Sequence, residues 1–140
     1  MKISLVTVGK TDGAELRDAI NEYEKRLSRY IPFEIIETTD EKLAKVLDRY
    51  DRVFLLDDKG KEYSSMEFSS FIDKQMTTGL QSVAFVVGGP FGFTDDVRAM
   101  ADGLISLSRM TFTHQFVRAV FLEQLYRAFT ILRNERYHHE

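Results

Sequence analysis

Two stretches without a single polar residue, Val53–Leu56 (VFLL) and Val83–Val87 (VAFVV), constrain this chain most. A strand with one face in water alternates apolar and polar residues. A strand that is apolar throughout is covered on both faces, as in parallel sheets flanked by helices. Helical patterns lie between such segments. Lys2–Val8 reads as a first strand ended by Gly9, and Leu16, Ala19, Ile20, Tyr23 and Leu27 then share one helical stripe. Pro32 closes that region, Glu34–Glu37 reads as a second strand, and Leu43, Val46 and Leu47 mark a short helix. The third strand, Val53–Leu56, runs into Asp57-Asp58-Lys59-Gly60; a helix to about Thr78 follows, stopped by Gly79. After the fourth strand, Asp95–Ala101 reads as a short helix, Leu104–Leu107 as a fifth strand, and about Thr113–Arg133 as the longest helix. Capping boxes, in which a side chain at each end satisfies an orphan backbone N–H, are expected at Asp12/Glu15, Thr38/Glu41 and Ser64/Glu67. The order predicts a three-layer α/β fold with a mostly parallel sheet, one domain over residues 1–140.

The rest of the sequence narrows the class. No apolar run approaches the roughly 20 residues of a membrane span, and the start, MKISLV, lacks the apolar block of a signal peptide. Cysteine is absent, so disulfides and thiolate metal sites are excluded. These features fit a cytoplasmic protein. A net charge of −3 argues against non-specific nucleic-acid binding, but the charge is divided unevenly. From Arg98 onward there are six Arg, no Lys and four acids; the earlier part is acidic. Arginine suits bidentate phosphate contacts and stacking, while an imbalance this small is also an ordinary solvated surface.

The last helix carries Phe116, Val117, Val120, Phe121, Leu122, Leu125, Tyr126, Ala128, Phe129, Ile131 and Leu132 at nearly every angle about its axis. A helix apolar all round is buried on more than one side: either wholly inside this domain or partly against a second copy of the chain. Within and beside it, His114 and Arg118 are one turn apart, as are Glu123 and Arg127. The second pair reads as a fixed, partly buried ion pair.

Gly88-Gly89-Pro90-Phe91-Gly92 follows the fourth strand, at the edge where open α/β sheets bind ligands. It is neither a dinucleotide-binding G-x-G-x-x-G nor a P-loop, and Pro90 removes one N–H from any phosphate cradle. A flat heterocycle read by main-chain groups fits it, and so does a plain tight turn. The end, Arg133-Asn134-Glu135-Arg136-Tyr137-His138-His139-Glu140, combines side chains that stack on unpaired bases and hold phosphate; a frayed polar tail has the same composition. His138-His139 lacks a third ligand at useful spacing, so no metal is expected.

Taken together, Leu56-Asp57 with Gly60-Lys61, FVVGGPFG (Phe85–Gly92), LSRMTFTH (Leu107–His114), LEQLYRAFTI (Leu122–Ile131), the ending YHHE and the opening KISLVTVGK resemble the RlmH family over essentially the whole length. These are small SPOUT-class methyltransferases acting on a pseudouridine of large-subunit (23S) ribosomal RNA. The resemblance implies a C-terminal trefoil knot, which pattern reading does not reach because knots are rare exceptions to chain topology. It implies S-adenosylmethionine held by Leu56, Gly88, Gly89, Leu107, Ser108, Arg109, Met110, Thr111, Phe112 and Thr113. It implies a homodimer in which the tail of one subunit completes the site of the other.

Carried over residue by residue, Arg127, Tyr137, His138 and His114 are the catalytic candidates. The first three are expected to position the base and stabilise charge, and His114 to shape the donor pocket. Arg118, Arg133 and Arg136 are candidate RNA contacts, with rRNA in the assembled ribosome as partner and neither membrane nor metal involved. The chain departs from the family pattern at Phe91, where Glu or a similar residue is usual, and at Arg136, where Pro usually precedes the Tyr-His pair. Fold does not fix substrate, so a SPOUT enzyme of transfer RNA or of another rRNA base, and a non-catalytic ribosome- or RNA-binding module, stand as alternatives. An NAD-binding domain is disfavoured by the missing phosphate-loop pattern.

Overall fold

A computed structural model describes residues 1–139. Five strands and five helices alternate: β1 (Lys2–Val8), α1 (Ala14–Leu27), β2 (Phe33–Thr38), α2 (Asp40–Leu47), β3 (Arg52–Glu62), α3 (Ser65–Thr77), β4 (Ser82–Val87), α4 (Asp95–Met100), β5 (Gly103–Ser106) and α5 (Phe116–Leu132). The strands form one parallel sheet in the order β2-β1-β4-β3-β5. The two apolar runs therefore lie side by side near its centre, with Phe54 opposite Phe85.

Alternate residues of each strand feed two separate cores, which is why those runs contain no polar residue. On one face Ile3, Leu5, Val83 and Phe85 meet α1, α3 and α5, with the Phe85 and Phe121 ring centroids 4.9 Å apart. On the other, Val6, Val53, Leu55, Ala84 and Val86 meet Leu43 and Leu47 of α2 and Val97 of α4. The three-layer expectation holds. Intramolecular packing covers Phe121, Leu122, Leu125, Ala128 and Phe129 of α5, but Phe116 at its start stays 55% exposed.

Two expected caps are absent. α1 begins after Gly13, whose φ of 87° is accessible to glycine at little cost, and the Asp12 N–H is instead taken by Gln115 Oε1 at 2.8 Å. α2 begins after Thr39, one residue later than expected and without a side-chain cap. The Ser64/Glu67 box forms in full: the Glu67 N–H donates to Ser64 Oγ at 3.1 Å and the Ser64 N–H to Glu67 Oε1 at 2.8 Å.

β3 is the larger surprise. It does not end at Leu56; it makes an excursion through Asp57–Gly60 and rejoins β5 with Lys61 opposite Ile105 and Glu62 opposite Ser106. Gly60 sits directly on the β5 backbone. A Cβ there would lie 2.5 Å from the Leu104 carbonyl carbon and 2.7 Å from the Ile105 nitrogen, so no larger residue fits without moving main chain.

Candidate functional site

The carboxyl ends of β3, β4 and β5 open into a cavity of about 490 Å³, within the usual size of small-molecule sites. Its floor is Leu56, Val87 and Ile105; one wall is Gly88, Gly89, Pro90, Gly92 and Phe93; the other is the loop from Leu107 to His114, closed by Val117 of α5. Three segments distant in sequence meet here because β4, β3 and β5 are consecutive in the sheet. Nine of the ten residues expected around a methyl donor line this cavity. The exception is Arg109, whose side chain is 86% exposed and points to Glu62 at 3.7 Å.

The long loop is shaped by its own hydroxyls. Ser106 Oγ donates to the Ser108 carbonyl at 2.9 Å, and Ser108 Oγ accepts the Met110 N–H at 2.9 Å. Thr111 Oγ1 donates to Asp58 at 3.3 Å, and Thr113 Oγ1 accepts the Phe116 N–H at 3.1 Å, holding the entry to α5. On the opposite loop Gly89 and Gly92 form an isolated bridge, and Gly92 adopts φ 77°. A Cβ on Gly88 would press on the Phe93 ring at 3.1 Å. Phe91 and Met110, on the loops that carry the two walls, are 97% and 78% exposed.

Asp57 and Asp58 also line the cavity and were not anticipated, although two carboxylates directly after a buried strand at the ligand edge are a readable signal. Burial opposes ionisation of Asp57. The Lys59 N–H at 2.9 Å and the Arg98 guanidinium at 3.0 Å outweigh it and hold the carboxyl below its usual range.

Of the four catalytic candidates, one lies at the cavity and three do not. His114 is at the cavity, but Tyr137 and His138 of the tail after α5 join Arg127 in a second cluster against the far half of that helix. Glu123 holds Arg127 at 3.1 Å, as the helical spacing predicts, and both side chains are mostly buried. The Tyr137 hydroxyl donates to Glu123 Oε2 at 3.1 Å, the same oxygen that Arg127 Nη2 meets, while Arg127 Nε donates to Oε1 at 3.2 Å. Arg127 Nη1 lies 3.0 Å from His138 Nδ1; because guanidinium only donates, Nδ1 is the acceptor. Arg127 also covers the Tyr137 ring at 4.8 Å, and Tyr126 meets that ring edge-on. Burial first, then a Tyr23 hydrogen bond and the Glu123 charge, push the Tyr137 phenol far above its ordinary value, so it remains a neutral donor. At 1.5 Å per residue, Arg127 is about 15 Å along α5 from Val117 at the cavity. One chain does not bring the two clusters together.

Arg118, expected among the RNA contacts, is instead enclosed: its side chain is fully buried and its guanidinium donates to Val8 O, Gly9 O, Thr11 Oγ1 and His114 O. Arg133 and Arg136 are exposed, Arg133 lying over the Tyr30 ring at 5.1 Å. Among the described residues no group of three His, Asp or Glu is placed to hold a metal, and no helix is long and apolar enough to cross a membrane.

A family model described as a predicted SPOUT methyltransferase matches residues 1–138. A Parabacteroides distasonis protein named ribosomal RNA large subunit methyltransferase H is 47% identical over 157 aligned positions, covering 100% of both chains. Its namesake from Christiangramia forsetii is 49% identical over 156 positions, covering 99% of each. Among solved structures, a probable methylase family protein from Haemophilus influenzae superposes with TM-score 0.60 at 10% identity, over 99% of this chain and 70% of that one. A probable methyltransferase from Bordetella pertussis gives 0.59 at 11%, over 90% and 95%. At these identities the two structures speak to the fold alone.

Proposed function

The chain belongs to the SPOUT methyltransferase family, alongside the large-subunit rRNA methyltransferases H, and on that premise we propose that it methylates N3 of a pseudouridine in 23S ribosomal RNA, using S-adenosylmethionine. The observation that carries the reading is the convergence of the glycine loop and the Leu107–His114 loop on one cavity at the carboxyl edge of a parallel sheet.

The residues present fit the donor. Leu56, Ile105, Leu107, Phe93 and Val117 offer apolar walls to a flat adenine, the Gly88–Gly89 main chain is free of side chains, and Asp57 and Asp58 complement a cation. When bound, S-adenosylmethionine supplies an electrophilic methyl group on a sulfonium. The protein's part is then to fix an in-line approach of the nucleobase and to accommodate the charge that spreads onto the imide carbonyls as N3 loses its proton. Arg127 is preset for the second task, aimed by Glu123 and stacked on Tyr137. Tyr137, a neutral phenol, is suited to donate a hydrogen bond and not to remove the proton.

The site is completed by a second copy. Two α5 helices packed antiparallel about a two-fold axis would place Arg127, Tyr137 and His138 of one subunit near the cavity of the other, spanning the about 15 Å that separates them within a chain. The exposed Phe116, Phe112 and Met110 beside the cavity supply apolar surface for such a contact. The C-terminal segments form a trefoil knot in this reading, supported by the close passage of β5 against Gly60 inside the β3 excursion. Arg133 and Arg136 hold rRNA phosphate, and the protein works in the cytoplasm on assembled ribosomes. Mass spectrometry of rRNA from a strain lacking this protein tests the assignment: one methyl group disappears from one large-subunit pseudouridine. An unchanged modification profile refutes it.

A further inference from the structure

Among the described residues, Arg118 heads the fully buried side chains by volume. Removing a guanidinium from water is costly unless its donors are matched, and here the partners are neutral oxygens. Nε donates to His114 O at 3.2 Å, Nη1 to Gly9 O and Thr11 Oγ1 at 3.0 Å each, and Nη2 to Val8 O at 3.0 Å. Glu37 and Asp12 act on it only through space. A leucine would fill such a position without the desolvation cost, so the fork must be doing something that packing alone does not.

Its partners identify the task. His114 ends the loop that forms one wall of the cavity. Val8 ends β1, and its Cγ1 lies 3.3 Å from where a Gly89 Cβ would stand, so it backs the glycine loop that forms the opposite wall. Gly9 and Thr11 belong to a connection that Gln115, the next residue after His114, also grips through Lys10 O and the Asp12 N–H. We propose that Arg118 is a positioning residue for methyl transfer: its buried fork ties the end of β1, and through Val8 the Gly88–Gly89 wall, to the His114 end of the facing loop, and so sets the width of the donor cavity. The planar guanidinium fixes three backbone carbonyls in one arrangement, which a lysine ammonium, with three rotatable donors on a flexible stem, does not reproduce.

This inference rests on the methyltransferase reading, and the experiment separates the two. Arg118→Lys keeps the charge and loses the fork. In the full-length protein its circular dichroism and cooperative unfolding are expected to persist. Its Kd for S-adenosylmethionine, by calorimetry, should rise at least tenfold, and amide exchange at Gly89 and Met110–His114 should quicken while β1 and β4 core amides do not change. Thr11→Val removes one acceptor on an outer loop and should raise Kd about threefold; it decides the matter if Arg118→Lys does not fold. Ile31→Val, a core change before the amino end of β2 and away from the cavity, should leave Kd unaltered. Donor affinity within twofold of wild type in Arg118→Lys, or in Thr11→Val should the lysine variant not fold, overturns the proposal; so does an equal loss in Ile31→Val. If the wild-type protein binds no S-adenosylmethionine, the methyltransferase reading fails, and the exchange pattern alone then decides whether Arg118 couples the two walls.

Discussion

Gly60→Ala should be among the most damaging single-methyl additions in this protein. At a site with room, glycine to alanine stabilises by about 0.4–1 kcal/mol, because the unfolded chain loses freedom, and Gly60 does not adopt a left-handed backbone that would penalise alanine. The sign therefore depends on space alone. The new Cβ would lie 2.5 Å from the Leu104 carbonyl carbon and 2.7 Å from both the Ile105 nitrogen and the Leu104 oxygen. All three are main-chain atoms, so no rotamer change relieves the contact; β3 and β5 must separate by most of an ångström. Overpacking of this kind costs about 1–3 kcal/mol. Prising apart the Lys61–Ile105 and Glu62–Ser106 pairings adds about 1 kcal/mol per hydrogen bond lost. A total near 3 kcal/mol is a large share of the about 5–15 kcal/mol that stabilises a domain. With a urea slope of about 2 kcal/mol/M, the unfolding midpoint should fall by about 1.5 M. Gly9→Ala is the comparison. Nothing stands within 4 Å of its Cβ, but φ is +86°, so only backbone strain of about 1–2 kcal/mol opposes it. A Gly60→Ala midpoint at or above that of wild type would refute the close passage of β5 against the β3 excursion.

Arg127→Ala should leave S-adenosylmethionine affinity within twofold and lower kcat at least a hundredfold, because its cluster lies outside the cavity; a large loss of affinity with kcat preserved contradicts this division. Mixing Arg127→Ala subunits with Gly89→Leu subunits, each inactive alone, should restore activity, since a mixed dimer carries one intact composite site; no recovery argues against a tail acting in trans. Asp57, held below its usual range, has a lower pKa folded than unfolded. Its contribution to stability is therefore present above about pH 4, the unfolded value, and lost as pH falls through the folded value. Asp57→Asn should flatten that acid limb in pH-resolved denaturation, and an unchanged limb would exclude Asp57 as its source. Ser64→Ala, which opens the one complete capping box, should cost about 1 kcal/mol by thermal unfolding.

The alternation of five strands and five helices was legible because hydrophobic period is a local property: five apolar residues in a row at Val83–Val87, or a stripe through Leu16, Ile20, Tyr23 and Leu27, declare their elements without knowledge of any neighbour. The Ser64 cap and the Glu123–Arg127 pair were readable for the same reason, since their partners lie three and four residues away. Family resemblance added the two loops that line the cavity.

What failed locally was decided at long range. Asp12 stands one residue outside α1, which begins after Gly13, and its N–H goes to Gln115, 103 residues on; β3 outruns its apolar core because β5 arrives to pair with Lys61 and Glu62. Arg118 is one turn from His114 in the linear pattern and a candidate RNA contact there; only the meeting of β1 with α5 encloses it among carbonyls. Strand order, which brings Leu56, Gly89 and Leu107 to one opening, and the about 15 Å between that opening and Arg127 are likewise properties of the assembled chain. The elements and the chemistry they carry are written in the order of residues, because side-chain pattern acts over a few positions. The enclosure of Arg118 among carbonyls and the facing of the two loops came from the assembled chain, because they depend on backbone segments far apart in the sequence, about a hundred residues in the case of Arg118.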